Sequence, residues 1–420
     1  MNPHHHTCEQ PIDRSDLVVL ALLWTLFFST YWFVGHGLAE TYAFNRFDLL
    51  FDADVPRVVR DFTSADANHY RTKVHPLYVL FLNPFGQLLT QLSGSTTSAA
   101  IIMNASFGAL DVALIYLLLR TLRITRISAA SFAAIGGLSA AHFFFGSLPE
   151  TVVISSASLL MVLIVQRVIA SGHNWPLLIP AGVFSMGMSS INIVFVALCC
   201  AFIGPRDVRT RITRTVIIVA FVLVITMGFS VIQKALYPSA QYFFTPSAFT
   251  EDLGYVNVAV LRAPTQLLSQ FITTVGIYAV VAPRIITHEQ RDGTDSIDFA
   301  PMEFKRDGHS MVFFGALLVY VVLGMTTAVA VYQHRLYTNK IFLTLAAHTA
   351  FSLIFFLFYN PHAPFLFTPT YLVAILSIMS MAHDAAPRMP PVVRLLPVAL
   401  CALLAINDAR FIHEVLAVYT

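Results

Sequence analysis

Charge is what this chain has least of. Of its 420 residues only 11% are Asp, Glu, Lys or Arg, against about 25% in a soluble domain. No polar stretch is long enough to fold as a soluble domain of ordinary size. Cysteine is also scarce: Cys8, Cys199, Cys200 and Cys401. Three of them fall in or beside apolar runs and none forms a loop pair, so no structural disulfide and no zinc site is expected. His4, His5 and His6 read as a polar tail rather than a metal site. A net charge of +2 offers no basic footprint for nucleic acid. No internal repeat of the inverted-transporter kind is visible.

Apolar residues fill the space instead. They make up 57% of the chain, with a mean hydropathy of +0.71, and they come in repeated long runs. The expected fold is all-α: a polytopic transmembrane helical bundle with short juxtamembrane helices in its outer loops. The first run, 17–38, lacks a small-residue cleavage site after it and reads as a retained span. Basic segments at Arg120–Arg126 and Arg206–Arg214 set the cytoplasmic side. Parity then gives about eleven spans, with the N-terminus inside and the C-terminus outside. They are 17–38, 98–119, 127–145, 151–168, two short spans sharing 176–203, then 213–236, 310–332, 341–359, 365–382 and 391–408. The two short spans meet at Ser189–Asn192. Segments 76–92 and 267–283 become surface or re-entrant helices on the outer side.

One polar stretch stands out, Arg46–Pro84, directly after the first span. Charge beside lipid is costly, so such a cluster is a candidate site by default. It holds Asp52-Ala53-Asp54, the cations Arg57, Arg71 and Lys73, and the run His75-Pro76-Leu77-Tyr78. Val55, Val58, Val59 and Phe62 follow i, i+3, i+4, i+7 spacing, which predicts a short amphipathic helix over 54–63. Asp54 suits its N-cap and Pro56 its first turn. A helix N-terminus with Arg57 one turn on suits an anionic group such as phosphate. Parity adds Glu150, Asn192, Arg284, Tyr359 and His362 to the same face. The bland alternatives are a cap, a solvated loop acid, a helix-start carboxylate and span breakers. They weaken together because every feature lands on one side. Asp111 is the only acid deep in a predicted span.

This ordered set resembles the GT-C superfamily of membrane glycosyltransferases. The resemblance rests on Asp52-Ala53-Asp54 in the first outer loop, the His75-Pro-Leu-Tyr78 run, the arginines of 120–126 closing a long span, and Pro149-Glu150 at an outer span start. Asp54-x-x-Arg57 is similar to the acid-then-Arg pattern of lipid-A-arabinosyl and protein-mannosyl members. The match covers about the first 200 residues. The chain departs in having Asp-Ala-Asp rather than Asp-Glu, His-Pro-Leu rather than Pro-Pro-Leu, and no large C-terminal soluble domain. The resemblance implies a GT-C-type module at 1–236 with its catalytic loop at 39–97, and a variable module at 237–420 with an outer loop at 237–309.

It further implies transfer of a sugar from a polyprenyl-phosphate donor to a glycan, lipid or protein acceptor. The anomeric carbon inverts, and an Asp general base activates the acceptor. Asp54 is the first choice for that base and Asp52 the second. Arg57, Arg71, Lys73, His75 and Arg284 would hold the donor phosphate, and Tyr78, Glu150, Asn192 and His362 would complete the substrate site. Some members place Mg²⁺ or Mn²⁺ at the Asp-x-Asp pair and others do not, so metal at Asp52 and Asp54 stays open. Membrane lipids are the other expected partner. The expected location is a bacterial inner (cytoplasmic) membrane with the site on its outer face. The rival readings are a transporter or lipid flippase, a non-catalytic scaffold, and a ligase or polymerase working through 237–309.

Overall fold

The computed structural model describes residues 12–169, 175–203, 207–257, 264–289, 294–300, 309–386 and 390–420. His4–His6, Cys8 and Arg206 lie outside them, as do parts of the 237–309 loop. The helices in chain order are α1 Arg14–Ala39, α2 Val55–Thr63, α3 Tyr78–Ser93, α4 Thr96–Thr121, α5 Arg126–Leu138, α6 Ala140–Ser147, α7 Val152–Ile169, α8 Leu178–Met188 and α9 Asn192–Ile203. There follow α10 Val208–Leu236, α11 Pro246–Leu253, α12 Pro264–Thr273, α13 Met311–Gln333, α14 Lys340–Phe358, α15 Pro364–Phe367, α16 Pro369–Ala385 and α17 Pro391–Tyr419. A small antiparallel hairpin, β1 Ile285–Glu289 with β2 Asp295–Phe299, pairs Thr287 with Ile297. The all-α expectation did not include it.

Among the described residues, seven helices are long and apolar enough to cross a membrane: α1, α4, α7, α10, α13, α14 and α17. The pair α5–α6, bent by 64°, makes an eighth if counted as one span. This is an integral membrane protein. The sequence count of about eleven also included α8, α9 and α16. With 12 residues, α9 is about 18 Å long at 1.5 Å per residue, well short of a ~30 Å hydrocarbon core. The tip of the α8–α9 hairpin, Ser189–Asn192, is partly buried, with Asn192 4% exposed. That tip is held by the first loop: Ser190 N–H donates to the Val74 carbonyl (2.9 Å) and Leu77 N–H to the Gly187 carbonyl (2.9 Å).

Helix α4 is the central post and packs against α1, α3, α5 and α7. At the arginine-rich end, Asp16 is 1% exposed. It accepts from Tyr116 Oη (2.7 Å), Arg120 Nε (2.8 Å) and Arg126 Nε (3.1 Å). Arg120 and Arg126 thus tie α1 to the α4–α5 turn. The end of the 267–283 segment folds into the bundle, with Ala279–Ala282 fully buried. The amides of Ala140 and Ala141, freed by the α5–α6 break, donate to the Val280 (3.1 Å) and Ala279 (3.0 Å) carbonyls. A broken span is tolerated where neighbouring backbone satisfies its freed groups, as here. Helix α17 continues through Asp408, which is buried, so the expected end of the last span at 408 is corrected. Asp111 is consequently not the only deeply buried acid.

Helix α2 forms where its spacing predicts. Val55, Val58 and Phe62 are fully buried, but against α3 and α4 rather than at a membrane surface. The fit with α3 is close: a Cβ on Gly86 would lie 2.0 Å from the Phe62 carbonyl oxygen. Helix α3 shows Phe85, Leu88 and Leu92 on its free side, the pattern of an interfacial helix.

Candidate functional site

The first loop opens on one cavity of about 940 Å³. Eight of the residues expected to form the substrate site line it: Asp52, Asp54, Arg57, Arg71, Lys73, His75, Glu150 and Asn192. Three do not. Tyr78 is buried behind Arg57. Arg284 starts the β-hairpin, where its N–H meets His309 Nδ1 (3.3 Å). His362 is exposed and contacts Asn257 (3.2 Å). Parity assigns residues to a face but carries no lateral information. Tyr359, assigned to the same face, does line the cavity.

The polar end is built by α2 and the turn before it. Asp54 occupies the N-cap position, but its side chain makes no cap bond. Its Oδ2 instead accepts from Arg57 Nε (3.0 Å), while its backbone N–H donates to Glu150 Oε2 (3.1 Å). Glu150 is a brace: Oε1 accepts from the Thr151 N–H (2.7 Å) and hydroxyl (3.0 Å). Burial pushes its carboxyl up, opposed by Arg57. Behind it, Asn104 donates to the Phe145 (2.7 Å), Gly146 (3.1 Å) and Leu148 (2.7 Å) carbonyls, which fixes the α6–α7 corner. Asn192 is a second strut, donating to Ser155 Oγ (3.0 Å) and the Ser185 carbonyl (3.1 Å).

Asp52 differs from all of these. It is solvent-accessible at the cavity mouth and makes no hydrogen bond or ion pair among the described residues. Three residues of its turn have left-handed φ: Asp48 (63°), Phe51 (53°) and Asp52 (60°). Such clusters of non-glycine residues cost energy and gather at functional sites. Crowding by surrounding protein, which partly desolvates the carboxyl at the cavity mouth, raises Asp52 from 3.8 to about 6, followed by the carboxylates of Asp48, Asp298 and Asp54. Asp298 is brought in by β2, where Ile297 N–H donates to the Leu49 carbonyl (3.1 Å).

The cations stand beside this acidic mouth. The Arg71 guanidinium lies 5.8 Å from the Tyr255 ring centre, and Lys73 Nζ lies 5.5 Å from that of Tyr70. Arg71 makes no ion pair to a described residue. His75 donates from Nδ1 to the Met188 carbonyl (2.7 Å). Burial, then Arg57 and Arg71, lower it to about 3. It is therefore neutral at physiological pH and lines the cavity as an uncharged imidazole. The far end of the cavity is apolar: Val152 and Leu159 of α7, Leu223 of α10, Phe355 and Phe356 of α14, and Phe367. His348 and Ser352 are polar exceptions there.

Among the described residues no group of three or more His, Cys, Asp or Glu is arranged to hold a metal ion. A divalent ion bridging Asp52 and Asp54 would also compete with Arg57 for Asp54. The donor set fits a metal poorly.

Sequence reasoning missed Asp48, Asp61, His69, Tyr70 and Tyr255. Asp61 had a usable signal, since it follows Arg57 by four residues on a predicted helix. The others depended on contacts across the chain. No family model matches this sequence, and no curated protein matches it.

Proposed function

We propose that this chain is a GT-C-like membrane glycosyltransferase that moves a sugar from a polyprenyl-phosphate donor to a glycan, lipid or protein acceptor. One observation carries the reading: carboxylates, cations and an apolar channel between membrane-length helices share a single cavity. The donor needs all three. Its tail lies in the apolar end, its phosphate at Arg57, Arg71 and Lys73, and its sugar toward Asp52. The acceptor hydroxyl loses its proton to Asp52 as its oxygen attacks the anomeric carbon. The bond to phosphate breaks, the centre inverts, and the cations hold the departing charge. Asp52 is preferred to Asp54 because Asp54 is engaged with Arg57, and a base poised near neutrality works best. The proposed location is a bacterial cytoplasmic membrane with the cavity on its outer face.

The direct test supplies labelled polyprenyl-phosphate sugars and an acceptor panel to membranes containing the protein. Transfer above that of membranes lacking it is the expected result. Its absence for every donor, with acceptors present, sinks the reading.

A membrane transporter or flippase is the second reading. It is favoured by the broken α5–α6 pair, whose His142 Nδ1 meets buried Asp111 at 3.3 Å. Asp111→Asn separates the two. A transferase keeps its turnover in this variant, because Asp111 does not line the cavity. A proton-coupled transporter loses uptake while tolerating Asp52→Asn.

A further inference from the structure

Arg57 is the cavity end of a buried chain of charged and polar groups. Asp61, one helical turn on, is 1% exposed and does not reach the cavity. Its Oδ2 accepts from Arg57 Nη1 (3.2 Å) and from the Tyr78 hydroxyl. Its Oδ1 meets His69 Nδ1 (2.8 Å). His69 is anchored in turn, its N–H donating to Ser239 Oγ (3.2 Å) and its ring packing edge-on against Tyr237 (5.4 Å). The chain thus ends on the loop after α10.

A guanidinium has five N–H donors in a rigid plane. Here Asp54 takes Nε, while Asp61 and Tyr78 take Nη1. Nη2 makes no hydrogen bond to a described residue. Two acids gripping adjacent edges fix the plane, and the nitrogen left over belongs to a side chain that lines the cavity.

We propose that Asp61 is a positioning residue for anion binding: by holding Nη1 it presents Arg57 Nη2 to the phosphate of the bound lipid. The proposal rests on the glycosyltransferase reading only for the identity of that anion. A lysine at 57 could not serve, since a point charge has no second edge to grip.

The test separates binding from transfer. Full-length protein in detergent is titrated with geranylgeranyl phosphate, which carries phosphate and isoprenoid but no sugar. Asp61→Asn is expected to weaken this binding about 10- to 100-fold, the range for a hydrogen bond to a charged group. Donor KM should rise alongside and kcat should fall, because Arg57 also holds the departing charge, while acceptor KM stays put. Asp61→Glu, which keeps the charge, recovers most of the loss. Tyr78→Phe removes one hydroxyl from the same grip and gives a smaller loss, so it carries the test if Asp61→Asn does not fold. Asp66→Asn, on the exposed loop, changes nothing. If Asp61→Asn or Tyr78→Phe binds the probe as tightly as wild type, the positioning role is overturned. If wild type itself ignores the probe, the polyprenyl-phosphate reading fails, and this inference with it.

Discussion

Asp52→Asn is expected to lower sugar transfer by about 10²- to 10⁴-fold, the usual contribution of a positioned general base, with little change in donor KM. The wild-type rate should climb as pH rises through about 6, where Asp52 ionises, and level off above. That limb should vanish from the variant's residual activity. Stability should move the other way. A carboxyl raised from 3.8 to about 6 in the folded protein favours folding when protonated. Its contribution is full below 3.8 and is lost as pH rises through 6. Asparagine mimics the protonated form, so Asp52→Asn should melt higher than wild type at pH 8 and equally at low pH. Slower transfer with a higher melting temperature is the pattern of a group strained for function. Asp54→Asn should differ: it frees Arg57 Nε, so its main effect falls on donor KM. A dead Asp54→Asn beside a nearly normal Asp52→Asn would return the base to Asp54.

The stretch that carries these predictions was legible in the sequence because its signals are local. Charge beside apolar spans marks Arg46–Pro84, and the spacing of Val55, Val58 and Phe62 gives α2. Register on that helix places Asp54, Arg57 and Asp61 along one side. The sequence ranked the two acids by position, with Asp54 at the cap. Which of them is free depends on Arg57 reaching back to Asp54, a rotamer outcome that composition does not encode. Span counting gave about eleven, against seven or eight membrane-length helices among the described residues, for a related reason. Residues 176–203 are uniformly apolar, so hydropathy registers two more crossings. The first loop instead descends onto the hairpin tip through Val74 and Leu77 and satisfies backbone that lipid could not. The β-hairpin was hidden in a polar loop, although Ile297 and Phe299 alternate inward as a strand requires.

Phe51→Ala is expected to cost about 3–5 kcal/mol of stability, the range for truncating a buried phenylalanine. Its ring is 6% exposed. It meets Phe299 at 4.6 Å, Phe365 at 5.0 Å, Phe144 at 5.2 Å and Phe411 at 6.0 Å between centres. These partners come from β2, α15, α6 and α17, so one side chain ties the loop to four separate elements. The backbone at Phe51 is left-handed, and alanine inherits that penalty without the packing that offsets it. The turn should therefore relax and carry Asp52 away from Asp48 and Asp298. The consequence for chemistry is specific: the acid limb of the rate profile moves below pH 6, toward 3.8, and the plateau falls because the base is weaker. Phe51→Leu, which keeps most of the buried volume, should lose less of both. Thermal unfolding in detergent and a pH profile on the same preparations give the two readings. Wild-type melting with an unmoved limb would mean that the aromatic cluster does not set the turn. The raised pKa of Asp52 would then need a cause within residues 48–54 themselves.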